Sequence, residues 1–168
     1  KVAFDMYSLY PRSEKARIVS HTGNVGMVPL KLRIPAWSTN TVVKLNGKEL
    51  PGAKGGTYFT LKHEWKLGDV VEIEFAMPVV AHKVSHHVAF TRGPVLLARD
   101  SRFGDGDMTE PFRWRDIEDG KFTENFNAVR TPSGEMWMAF SATLPVGTHH
   151  ENPEAALPTT VNFCDYAS

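Results

Sequence analysis

Short runs of alternating apolar and polar residues, broken every few positions by turn-forming residues, govern what this chain can fold into. Val70-Val71-Glu72-Ile73-Glu74-Phe75 is the clearest run, and Leu30, Leu32 and Ile34 alternate with Lys31 and Arg33 in the same way. Period two is the side-chain repeat of a strand with one buried and one wet face. Residues 2–10 repeat the pattern with Val2, Phe4 and Met6, and Tyr10-Pro11-Arg12-Ser13 turns the chain toward a second run around Ala16, Ile18 and Val19. Thr41 to Leu45 leads into Asn46-Gly47, a strong hairpin signal because a type I′ turn needs positive φ at both central positions. Tyr58 to Leu61, His87 to Thr91, Val95 to Ala98, Glu135 to Ser141 and Val161 to Tyr166 read as further strands. Arg92-Gly93-Pro94 reads as a bend between two of them. No segment carries an apolar stripe at helical spacing over ten or more residues. The pattern predicts an all-β, antiparallel β-sandwich of jelly-roll or Greek-key type, with room for two packed β subdomains. Residues 76–94 are the expected place for an internal boundary.

Composition narrows the function classes. Nineteen basic and nineteen acidic residues cancel, which argues against a nucleic-acid or anionic-membrane binder. With 42% hydrophobic and 23% charged residues the chain has ordinary globular usage. No apolar run approaches the roughly 20 residues of a membrane helix. A single cysteine, Cys164, supplies neither an internal disulfide nor a multi-thiolate metal cluster. The chain opens on Lys1 directly in a strand pattern and closes near a strand end, so residues 1–168 are expected to be one accessory region cut from a longer polypeptide.

The chemistry-bearing residues resist assembly into a catalytic site. Glycoside cleavage uses two carboxyl groups about 5–10 Å apart on opposite sides of one sugar bond. Glu72 and Glu74 alternate with Val71, Ile73 and Phe75, so they belong to the wet face of their strand. Glu49, Glu64, Glu110 and Glu124 have no assignable partner, and no acid/base pair is named. His86-His87 and His149-His150 are adjacent pairs that point to opposite faces of a strand, and His82 precedes His86 by two pleat repeats. Without a recognised ligand spacing these are read as surface histidines and no metal ligand is assigned. Asp100, Asp105, Asp107 and Glu110 with Gly104 and Gly106 offer oxygen ligands but not the EF-hand spacing, and an acidic surface loop is the favoured reading over calcium. Of the four tryptophans, Trp37 and Trp65 look structural and Trp137 is core or face. Trp114, between Arg113 and Arg115, is the best exposed candidate for stacking on a sugar ring.

One ordered set of short motifs carries a family resemblance. Leu32-Arg33-Ile34-Pro35-Ala36-Trp37 is followed by Val43-Lys44-Leu45-Asn46-Gly47, Tyr58-Phe59-Thr60-Leu61, Trp65, Gly68-Asp69-Val70-Val71, Met77-Pro78 and Arg92-Gly93-Pro94-Val95. In that order, and with Tyr10-Pro11 upstream, the chain resembles the C-terminal β-sandwich region of the bacterial β-L-arabinofuranosidases of glycoside hydrolase family 127. The likeness covers about residues 1–100 and returns loosely at Phe163-Cys164-Asp165-Tyr166. It implies a parent glycoside hydrolase whose catalysis lies in an upstream (α/α)6 barrel with a cysteine nucleophile, a glutamate acid/base and a zinc ion. None of those residues transfers to a position here. The role it implies for this chain is non-catalytic: packing on and supporting that barrel, or mediating homodimer contacts. The rival expectation is an independent carbohydrate-binding module for a plant-type glycan, and an adhesion-type sandwich is a third. The family's substrates favour a periplasmic or extracellular parent over a cytoplasmic one.

Overall fold

The computed structural model describes residues 2–23, 25–113, 115, 117, 126–132, 134–147 and 158–166. Among them the fold is all-β and antiparallel, with a short 3-10 turn at Ser101–Phe103. No helix is long and apolar enough to cross a membrane. The chain divides into two compact units, 1–77 and 78–168.

Unit 1 is a sandwich of two sheets. Strands β1 (Phe4–Ser8), β2 (Lys15–Ser20), β4 (Val42–Leu45), β5 (Lys48–Leu50) and β7 (Val70–Glu74) form the first, in the order β1-β2-β7-β4-β5. Strands β3 (Met27–Arg33) and β6 (Tyr58–Glu64) form the second. The alternation seen in the sequence explains the packing. Ile18, Val43, Val71 and Ile73 of the larger sheet meet Leu32 and Leu61 of the smaller in one core, with Ile34 and Trp65 beside them. Glu72 and Glu74 stay on the wet face of β7, as their register requires. Trp65 is buried; its indole N–H donates to the Val28 carbonyl at 2.9 Å, and Phe4 meets its ring edge-on at 4.9 Å. The Asn46-Gly47 hairpin forms as read, with φ of 50° and 80°.

Unit 2 is built on one six-stranded sheet. Strands β8 (Val79–Val84), β9 (His87–Arg92), β10 (Val95–Ala98), β11 (Asn127–Ala128), β12 (Ala139–Pro145) and β13 (Pro158–Asp165) lie in the order β11-β12-β13-β10-β9-β8. One face carries the core: Val79, Ala81, Phe90, Val95, Leu97, Phe140, Ala142, Leu144, Val161 and Phe163. Phe112, Ile117 and Phe126 cover it from outside the main strands, and the rings of Phe90, Phe112, Phe126 and Phe163 form one cluster with centroids 5.1–5.8 Å apart. Gly93-Pro94 is the two-residue link between β9 and β10, with Gly93 at φ 56°, and the Arg92 guanidinium lies 5.5 Å over the Phe140 ring.

Several strand bounds differ from the sequence reading, and three of them have a local reason. The first stops at Ser8, because residues 9–13 close a turn in which Ser13 N–H donates to the Leu9 carbonyl at 3.1 Å. The run expected over 135–141 enters the sheet only at Ala139 and continues to Pro145. The reason is local: one oxygen of the buried Asp165 carboxylate accepts the backbone N–H groups of Trp137 at 2.8 Å and Met138 at 3.0 Å, which takes both out of the ladder. The sequence pattern gives no strand at β8. Its burial alternates, with Val79 and Ala81 inward, but Pro78 before it and His82 and Lys83 within it mask the pattern.

Candidate interaction surface

On the face of the six-stranded sheet opposite the core, the position of the exposed apolar residues follows from register. Leu97 pairs with Asp165 and Ala139 pairs with Cys164. Tyr166 N–H donates to the Leu96 carbonyl at 2.9 Å. One step beyond the ladder, Trp137 is held beside Asp165 by the hydrogen bond just described. Leu96, Tyr166 and Trp137 therefore come from three neighbouring strands, β10, β13 and the entry to β12, at one end of the sheet. Two strand spacings make that row about 10 Å wide. All three side chains are exposed, at 41%, 73% and 47%. Isolated exposed apolar residues are ordinary, whereas these three are brought to one end of one sheet face by register. A charged rim lies beside it: Asp100 accepts two side-chain bonds from Arg102, at 2.9 and 2.7 Å, and Arg102 also reaches Glu135 at 3.6 Å. Those bonds hold the Asp100 carboxyl at a pKa of about 2.

The residues singled out in the sequence fall as follows. Trp114, Glu124, His149 and His150 lie outside the described residues. Trp37 is half-buried, stacked on Tyr10 at 6.3 Å and edge-on to Phe75 at 5.8 Å. Trp137 belongs to the exposed face. The acidic loop does not converge: Asp100 is tied to Arg102, Asp105 accepts from the Asn162 side chain at 3.1 Å, and Asp107 accepts from Thr109 N–H and hydroxyl at 2.8 and 2.7 Å. His82 bonds the Thr91 hydroxyl at 2.8 Å, and His86 sits in the β8–β9 turn. Among the described residues no three potential ligands gather around one point. Glu72 and Glu74 stand about 7 Å apart on one face of one strand. A sugar lying there would meet both carboxylates from the same side, whereas hydrolysis needs them flanking the bond. Sequence reasoning missed Leu96 and Tyr166, since their meeting with Trp137 depends on strand register.

The described residues form two all-β units. Residues 1–77 match the family model for the middle domain of GH127 β-L-arabinofuranosidases. The first unit is thus similar to that β-rich domain. No curated protein matches it. Solved structures reproduce the fold of the whole chain. A protein described as a glycoside hydrolase matches at 21% identity and a TM-score of 0.66, over 98% of this chain and 29% of its own. A GH127 β-arabinofuranosidase matches at 19% and 0.65, over 99% and 29%. A GH127 β-L-arabinofuranosidase from Geobacillus stearothermophilus T6 matches at 22% and 0.62, over 97% and 27%. The chain spans less than a third of each of these structures.

Proposed function

We propose that this chain is a non-catalytic accessory β region of a β-L-arabinofuranosidase-like glycoside hydrolase, and that it supports the catalytic (α/α)6 barrel by docking on it. The observation that carries this reading is the Leu96–Tyr166–Trp137 row. Unit 2 has closed its own core on the other face of the same sheet, so folding does not require these side chains to be where they are. Covering them removes large apolar area from water at about 25 cal/mol per Å². An aromatic centre beside a charged rim is the usual anatomy of a protein interface. The family match and the share of the neighbouring structures that the chain spans support the same reading.

Calorimetric titration of the 168-residue chain with a separately expressed GH127 barrel tests it. Saturable binding, weakened at least about tenfold by Trp137→Asp as expected of an interface aromatic, is the expected result. The chain alone should not hydrolyse aryl arabinofuranosides. Turnover that disappears on replacing one carboxylate would overturn the reading, as would binding indifferent to Trp137.

A further inference from the structure

The outer face of the five-stranded sheet in unit 1 holds an open trough of about 780 Å³, within the size range of ligand sites. Register composes it. Tyr7 pairs with Arg17, Arg17 with Glu72, and Glu72 with Lys44, so four side chains from β1, β2, β7 and β4 form one row across the strands. Leu9 extends the wall beyond Tyr7, and both are well exposed, at 69% and 56%. The next row holds Lys15 and Glu74, an ion pair at 3.9 Å.

Opposite charges directly across an antiparallel pair usually pair with each other. Here Glu72 has a cation on either side, yet among the described residues neither Arg17 nor Lys44 comes within 4.0 Å of it. The guanidinium and ammonium donors and the carboxylate acceptor thus reach the trough uncommitted. Two carboxylates in the lining disfavour a phosphate or another polyanion, and three cations disfavour a cationic ligand. What fits is a neutral molecule dense in both donors and acceptors, with one apolar face to lie against Tyr7 and Leu9.

We infer that this trough is a saccharide-binding site, taking a neutral oligosaccharide whose hydroxyls are bridged by Arg17, Glu72 and Lys44 and whose ring rests on Tyr7. It holds sugar without cleaving it, because Glu72 and Glu74 lie on one side of the bound chain. The site does not depend on the docking row of unit 2.

The test is NMR titration of the full 168-residue chain with arabinotriose, with inorganic phosphate as the competing probe. The expected result is saturable millimolar binding with shifts centred on Tyr7, Arg17, Lys44 and Glu72. Glu72→Gln and Tyr7→Ala should each weaken it about tenfold, the scale of one charge-assisted hydrogen bond or one stacked ring. Both residues are exposed on the sheet surface, and unchanged amide dispersion checks that the variants fold. Arg17→Gln serves as a third variant should Tyr7→Ala disturb the edge strand. Trp137→Asp should leave the affinity unchanged, which separates this site from the docking reading. Phosphate binding more tightly than the sugar, no saturation with arabinotriose, or equal affinity in Glu72→Gln would overturn the proposal.

Discussion

At the residue scale, Asp69 shows how a single buried carboxylate joins two turns. It accepts the Lys66 backbone N–H at 2.7 Å, the Asn46 side-chain amide at 2.9 Å and His63 Nε2 at 2.9 Å, while Asn46 Oδ1 accepts Val70 N–H at 2.8 Å. The Leu67-Gly68-Asp69 turn is thereby tied to the Asn46-Gly47 hairpin. Burial pushes the Asp69 carboxyl up, but the three hydrogen bonds and the nearby imidazole together bring it below its ordinary value. A carboxyl with a lowered folded pKa contributes stability that is present above the unfolded value of about 3.9 and is lost as pH falls through the folded one. Asp100 and Asp107 in unit 2 are shifted the same way by Arg102 and Thr109. Asp69→Asn should therefore destabilise unit 1 at pH 7 by about 1–3 kcal/mol, because one donor is left facing an amide that cannot accept it. Below pH 3 the gap between wild type and variant should shrink. Amide exchange in the unit 1 strands at pH 7, with urea melts at both pH values, measures this, and a gap constant with pH would refute it.

At the scale of elements, two tight turns make opposite predictions. Gly47 sits at φ 80° and a Cβ there would meet nothing within 4 Å, so the cost of Gly47→Ala is purely conformational, about 1–2 kcal/mol. Ser85, in the β8–β9 turn, occupies φ 56° without being glycine. Ser85→Gly should be neutral to stabilising by up to about 1 kcal/mol, the αL cost relieved being offset by the extra freedom of glycine in the unfolded chain. Urea denaturation of both variants checks the pair, and loss of stability in each would show that the turns matter through something other than φ. The same contrast explains what the sequence showed of the fold. Asn46-Gly47 announces itself because its residues suit positive φ, whereas Ser85-His86 does not. The start of β12 was invisible because it is set by Asp165, a residue distant in sequence. The wet face of Glu72 and Glu74 was legible from alternation alone, but the row of Tyr7, Arg17, Glu72 and Lys44 needs the order β1-β2-β7-β4, which no local pattern encodes.

At the scale of the whole molecule, the two units have separate cores. The residues packed around Trp65 all belong to 1–77, and those around Phe90 and Phe163 all belong to 78–168. A chain of this length with one cysteine has no covalent staple, so each unit depends on its own apolar burial. That makes the energetic boundary testable with one substitution. Phe163 is 2% exposed and contacts Phe90, Phe112 and Phe126, so Phe163→Ala removes the centre of the unit 2 cluster. The cost should be about 3–5 kcal/mol, the range for truncating a buried aromatic. If the cores are energetically separate, that loss appears as faster amide exchange at Leu97, Ala142 and Val161. Exchange at Val43, Val71 and Leu61 should stay at its wild-type rate. The opposite result, equal acceleration in both sets, would mean that the units unfold as one cooperative body, and a binding defect in a unit 2 variant could then no longer be assigned to its surface. The experiment thus also decides how cleanly Trp137→Asp reports on docking and Glu72→Gln on the trough.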